Sequence, residues 1–528
     1  MIVVAETTGF GDYAAFMDGK GLKMTRVDEE TAVMPGASKG VEVATIAAER
    51  QAQVASPGST EHADSAQPVE GGAAPAIDQR HESIGQVISD YLSSIRDIAD
   101  ATSVVMPHLA HWLTSQNEEA IKKLEAAARL GTPEEDRIRF ETTRDLVAYS
   151  AARRNARKTR DIRSFEIMTR ALFVQVFCEY DAFIGRLLTS IYSSKPDLMN
   201  GISRQISLAD LLQFDDIKSA CRGLLEKEIE TFRRDSYVDQ FAALESKFSI
   251  RTLKGFPEWK EFVELSQRRN ILVHNDGIVS EQYLSVCRKE GVVLPKDAVA
   301  GAKIGAGSKE LLRLIRVMSK VGYMLGHTLW RKLFPSQLEK MHDSLHMTIY
   351  EYLADARWKT AAHLGEFALT DSMTNGMKES VRRMIVINSA IARKFSGDSV
   401  GAEAVLDSAD WSAAMPEFRL AVAVLKDNFE RAGEILRRIG KRGDLLDQWA
   451  YHEWPLFTKF RDREDFYAIY EEIYGEPYKE VAEEVGEEVA KEVAAVDGAE
   501  DSDSTCVAGD SPSQQVGDAA ADETKACE

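Results

Sequence analysis

Within Gln267-Arg268-Arg269-Asn270-Ile271-Leu272-Val273-His274-Asn275-Asp276-Gly277, four residues separate Arg269 from His274. An arginine is always charged and its planar fork of donors matches phosphate oxygens, whereas a histidine can take or release a proton near neutral pH. The two together are the smallest equipment for cleaving RNA without a metal ion. Asn270, directly after the arginine, adds a hydrogen-bonding group that can position the other two.

These residues need a helix to hold them. A helical wheel over 257–274, at about 100° per residue, puts Phe262, Leu265, Leu272, Val273, Trp259 and Val263 in one arc of roughly 180°. Arg269 lies inside that arc, about 20° from Phe262. Asn270 also lies inside it, and His274 sits at its edge. Lys260, Glu261, Glu264, Gln267 and Arg268 fall on the other side, with Ile271 alone out of place. The wheel therefore assigns Arg269 inward and Arg268 to solvent. A competing structural reading stays open: Arg269 forms a buried ion pair, and His274 helps cap the helix before Asn275-Asp276-Gly277 ends it.

Other candidates are weaker. Glu179 falls in a stripe with Phe165, Met168, Leu172, Val176 and Phe183 on a long apolar helix expected over 165–191. It is a supporting acidic candidate, although a buried pair with Arg186 is the favoured reading, and Asp181 faces away from the stripe. Arg153-Arg154-Asn155-Ala156-Arg157-Lys158-Thr159-Arg160 with Arg163 is the densest basic stretch; it suits phosphate contacts or a solvated face equally. His342 and His346 have zinc-compatible spacing and His108 and His111 are close, but no third ligand accompanies either pair. Gly305-Ala306-Gly307-Ser308-Lys309 lacks the preceding strand and the spacing of a phosphate loop and reads as a turn. No metal or cofactor is expected.

Arg269-Asn270-x-x-x-His274, late in a helix of an all-α region, resembles the Rx4–6H motif of the HEPN superfamily. The longer run from Arg268 to Val279 is similar to bacterial members of that superfamily, and the likeness covers roughly residues 160–335. It implies a metal-independent endoribonuclease working as a homodimer, with Arg269 and His274 from two copies lining one cleft and RNA as the partner. A defence or toxin-like role also follows from the resemblance alone. His274 would act as general acid or base, Arg269 would stabilise the transition state, and Asn270 would position the site. The products expected are a 2′,3′-cyclic phosphate and a 5′-hydroxyl. The alternative is a non-catalytic HEPN and helical-repeat scaffold for protein–protein interaction.

The rest of the chain agrees with a helical, cytoplasmic protein. Its 528 residues carry a formal charge of −20, but the acidity is uneven. Residues 1–80 hold 6 Lys/Arg against 12 Asp/Glu, and residues 479–528 hold 3 against 15. The body between them is close to neutral, so the overall charge does not exclude an RNA substrate. Five scattered cysteines with no CxxC pair give neither a disulfide framework nor a zinc site. No apolar run approaches the ~18 residues of a membrane span, and the N-terminus lacks the basic and apolar regions of a signal peptide.

The expected organisation is a disordered region over 1–80 and a helical extension over 81–160. A HEPN-like helical domain follows over 161–336, then a helical region over 337–478 and an acidic disordered tail over 479–528. Helices are expected over 84–101, from Pro133, and over 217–232, 257–274, 280–289 and 308–334, with 291–307 as a weakly helical gap. Beyond residue 338, a shift of 30 residues carries Ala402, Val405, Leu406 and Ala409 onto Ala432, Ile435, Leu436 and Ile439. This resembles a degenerate tetratricopeptide array, whose usual period is ~34 residues and which commonly binds a protein partner.

Overall fold

A computed structural model describes residues 3–6, 82–134, 137–201, 207–296 and 298–479. Apart from residues 3–6 and 479, the two tails expected to be disordered lie outside the described residues. The fold is all-α. No described helix is long and apolar enough to cross a membrane. Two compact units divide the chain, Met1–Ala432 and Gly433–Glu528.

The first unit is organised by a helix of 45 residues, α1 (Ile84–Ala128), capped by the Ser83 hydroxyl accepting from the Gln86 N–H. Val87, Ile88, Tyr91, Leu92 and Ile95 recur at helical spacing and are buried, as the 84–101 pattern requires. The dense burial stops at Met106, and Pro107 follows. Proline removes one backbone hydrogen bond at that point. Beyond it only Ala120 and Ala127 of α1 are buried.

The far half of α1 packs with α2 (Thr143–Arg160) and a small antiparallel sheet. The sheet has the order β1-β3-β2, from β1 (Val3–Glu6), β2 (Thr132–Glu134) and β3 (Arg137–Phe140). Here the structure departs from the helix expected at Pro133. The winning pattern is the two-residue alternation of Ile138 and Phe140, both buried against Ala127 and Tyr149. Gly131 admits the tight entry, since a Cβ there would lie 2.5 Å from the Ile138 side chain.

The core half of α1 packs on α3 (Ser164–Ser194) and on α9 (Ser308–Leu333). Between these two in sequence lie α4 (Leu208–Leu211), α5 (Ile217–Arg234), α6 (Tyr237–Phe248), α7 (Trp259–His274) and α8 (Glu281–Lys289). The expected boundaries hold to within three residues for α3, α5, α7, α8 and α9, and no helix occupies the described residues of 291–307. An aromatic centre joins three of these helices. Phe262 of α7 sits 5.7 Å from Tyr180 of α3 and 5.2 Å from Phe241 of α6, ring centre to ring centre.

Helices then follow one another: α10 (Leu338–Ala354) packed with α11 (Trp358–Ala368), α12 (Asp371–Thr374), α13 (Glu379–Phe395) packed with α14 (Ser399–Asp407), and then α15 (Pro416–Leu425) and α16 (Phe429–Ile439). The 30-residue shift carries the end of α13 onto the end of α15, and the start of α14 onto the start of α16. His342 and His346 are buried packing residues of α10; His342 bonds the Met373 carbonyl at 3.0 Å. Burial pushes His346 down to about 4. Among the described residues no group of three His, Cys, Asp or Glu side chains is placed to share a metal ion.

In the second unit, α17 (Ala450–Glu453), α18 (Thr458–Arg461) and α19 (Glu464–Tyr474) close around Tyr451, Phe457, Phe460 and Phe466.

Candidate functional site

Helix α7 runs between two packing surfaces rather than over one. Trp259, Phe262, Val263 and Leu265 are buried on the side of α3 and α6. On the other side Ile271, the residue out of place on the wheel, joins Val279, Tyr283, Leu284 and Cys287 in a second apolar cluster. Glu264 and Gln267, expected in solvent, are buried as well.

That second surface corrects the assignment of Arg268. Its side chain is only 11% exposed, against 7% for Glu264, which it contacts at 2.8 Å. Arg268 also donates to the Gly305 carbonyl at 2.8 Å. Glu264 further accepts from the Tyr283 hydroxyl at 2.8 Å and from Arg313 of α9. Arg268 has acceptors on both sides and Glu264 collects three donors, so the cluster ties α7, α8, α9 and the Gly305 turn together. The glycine-rich segment thus serves as a tethered turn.

Arg269, about 100° round the helix from Arg268, is half-buried. Its Nη1 donates to the Asn270 side-chain oxygen at 3.3 Å, and its Nε is buried without a hydrogen-bond partner. Asp181 of α3 is a carboxylate that the Arg269 and Arg233 guanidiniums act on through space. Burial raises the Asp181 carboxyl from its ordinary value, opposed by a 3.3 Å hydrogen bond from Tyr237 and by those two arginines. Burial likewise raises the Tyr237 phenol, with Asp181 adding to the shift and Arg269 opposing it.

Asp181, expected to face away, is therefore a carboxylate within electrostatic reach of the arginine. Glu179 accepts from Gln175 at 2.7 Å and stays outside this group. Nor does Glu179 pair with Arg186, which instead binds Glu82 and Asp90. The sequence signal that favours Asp181 is its partner Tyr237, which lies 56 residues away and opens α6 after the Ser236 cap.

His274 is the last residue of α7, exposed beside the half-exposed Val273. The chain turns away from it under strong local constraints. Asp276 has φ +46 and Gly277 φ +80, and a Cβ at Gly277 would lie 2.4 Å from the Ile304 carbonyl oxygen. Only glycine fits there. The Asn275 amide caps the Ile278 carbonyl at 2.7 Å, and the segment pairs with the 301–304 strand-like stretch through Ile278 and Lys303.

Asp276 binds Arg170 of α3 and Lys303, each at 2.9 Å, and these bonds lower its carboxyl below its ordinary value. Arg170 also donates to the Leu272 carbonyl. The end of α7 is thus held rigidly while the ring it presents stays open to solvent. The arrangement offers an unsatisfied guanidinium N–H, a positioning amide and an exposed imidazole within one and a half helical turns. No family model, curated protein or solved structure matches this chain.

Proposed function

We propose that this chain is a metal-independent endoribonuclease of HEPN type, acting as a homodimer through Arg269 and His274, with RNA as substrate. The observation that carries the reading is the contrast in hydrogen bonding around Arg269. A buried guanidinium N–H without an acceptor costs about 1–3 kcal/mol. Arg313, Arg357 and Arg383 also carry one on Nε. What sets Arg269 apart is that Asn270 accepts from its fork and the exposed His274 follows on the same helix. A phosphodiester oxygen matches the Arg269 donor in charge and geometry.

In the proposed reaction one His274 removes the proton from a ribose 2′-hydroxyl. The 2′-oxygen attacks phosphorus and the bond to the 5′-oxygen breaks. A protonated His274 of the second copy gives that oxygen its proton. Arg269 neutralises charge gathering on the non-bridging oxygens, and Asn270 fixes the fork that does so. The products are a 2′,3′-cyclic phosphate and a 5′-hydroxyl. The defence or toxin-like setting rests on the family resemblance.

The test is incubation of purified protein with total RNA in excess chelator, beside Arg269→Ala and His274→Ala. Cleavage that persists in chelator and is lost in both variants, with helicity and dimer mass unchanged, supports the reading. Equal cleavage by all three proteins overturns it.

A further inference from the structure

We propose that the outward face of α2 is a docking track for the phosphate backbone of single-stranded RNA, leading toward the His274 end of α7; this rests on the ribonuclease reading for its choice of polyanion. The helix buries Tyr149 and Ala156. At about 100° per residue, Arg144, Val147, Ala151, Arg154 and Lys158 form a single row opposite that buried face, with Arg157 at its flank. Arg144, Arg154, Arg157 and Lys158 are all exposed, and none forms an ion pair among the described residues. From Arg153 to Arg163 six cations stand against the single acid Asp161, in a chain whose formal charge is −20.

A solvated helix face would be expected to mix signs, as the α1 surface does where Lys123 pairs with Glu119 at 2.7 Å. Cations in a last helical turn also gain from the helix dipole. That gain is confined to the last turn, so it does not explain Arg144 or Arg154.

Position in the fold gives the row its direction. Four residues after Arg160, α3 begins, and its opening turns meet the loop that follows His274. Arg163 acts on Asp276 through space, and Arg170 binds it at 2.9 Å. The row of unpaired cations therefore runs into the segment that fixes the proposed cleavage residue. A strand lying along α2 would be delivered to the end of α7 with its phosphates already neutralised.

The experiment reads binding apart from cleavage. The parent protein is full-length His274→Ala, and the probe is a fluorescein-labelled single-stranded RNA of about 20 nucleotides. Anisotropy is followed from about 50 to 300 mM salt, where each lost phosphate contact flattens log K against log salt by about 0.7. Arg154→Ala/Arg157→Ala/Lys158→Ala in that background should bind at least about tenfold more weakly, with a slope reduced by about 2. Arg154→Lys/Arg157→Lys should keep most of the affinity, because charge and not fork geometry neutralises a backbone.

Unchanged affinity and slope in the triple alanine variant overturn the track, even if the wild type cleaves RNA. Absence of RNA binding by the parent overturns it as well. So does dependence on these cations only for phosphatidylserine vesicles, which assigns the face to a membrane. If the triple variant loses RNA while the wild type never cleaves it, the track stands and the nuclease reading fails.

Discussion

At the end of α7 the guanidinium of Arg268 is enclosed by Glu264, the Gly305 carbonyl and the cluster that also holds Arg313 and Tyr283. One residue on, the guanidinium of Arg269 has a side-chain amide, a carboxylate acting through space and a buried N–H with no acceptor. The two differ by about 100° on one helix, and that rotation moves an arginine from a closed network to an open one. Burial alone does not separate them, since both are withdrawn from solvent. Their hydrogen bonds do: Arg268 has its acceptors in place on Glu264 and Gly305, whereas the Nε of Arg269 has none.

The largest effect expected is on the closed side. Arg268→Ala leaves Glu264 buried beside one cation fewer, and breaking a buried pair of this kind costs about 3–5 kcal/mol. Chemical denaturation should show that loss. A variant as stable as the wild type would mean that Arg268 is not the structural member of the pair.

On the open side, Arg269→Ala should leave stability nearly untouched while lowering RNA cleavage by roughly 10²–10³, the usual effect of removing one transition-state donor. Single-turnover rates with a defined RNA measure it. Loss of stability without loss of cleavage would exchange the roles of the two residues.

The histidines repeat the contrast. His346 and His327 are buried in the neutral form and held down to about 4, whereas His274 is exposed. For a base whose folded value is depressed from 6.5, the contribution to stability is complete above about pH 6.5. It is lost as pH falls toward about 4. That amounts to about 3 kcal/mol for each of the two. His346→Leu should visibly lessen that loss in denaturation curves between pH 7 and 4, and an unchanged curve would mean that the buried imidazole does not resist protonation.

The smallest effect concerns the Asp181 carboxylate, within electrostatic reach of Arg269. Burial disfavours its charged form, so Asp181→Asn should raise the melting temperature at pH 7, with the gain shrinking as acid protonates the wild-type carboxyl. Cleavage should fall about tenfold in the same variant, in kcat rather than KM, because the arginine loses its orienting charge. Unchanged kcat would leave Asp181 as a packing residue.

The all-α architecture and most helix limits are legible in the sequence because apolar spacing and Pro, Gly and Ser punctuation are local. Arg269, Asn270 and His274 were legible as a group for the same reason. A wheel places Arg268 wrongly because it assumes one buried face, while α8 and α9 bury a second face of α7 around Ile271 and Glu264. Asp181 was missed in favour of Glu179 because α3 is buried on several sides, so its stripe does not discriminate. The choice is made by Tyr237, from a distant helix. The sheet strand at Thr132–Glu134 was hidden for a similar reason, since its partner supplies the alternation it lacks.

Pro107 has a consequence for how α1 opens. Amides before it lie in a half of the helix fastened to the core by Val87, Ile88, Tyr91, Leu92 and Ile95, whereas those after it belong to a half with only Ala120 and Ala127 buried. With a backbone hydrogen bond missing at the junction, one continuous helix becomes two cooperative units. The distal unit should exchange its amide hydrogens by local opening and the proximal one only with unfolding of the whole bundle, which hydrogen exchange along α1 would show.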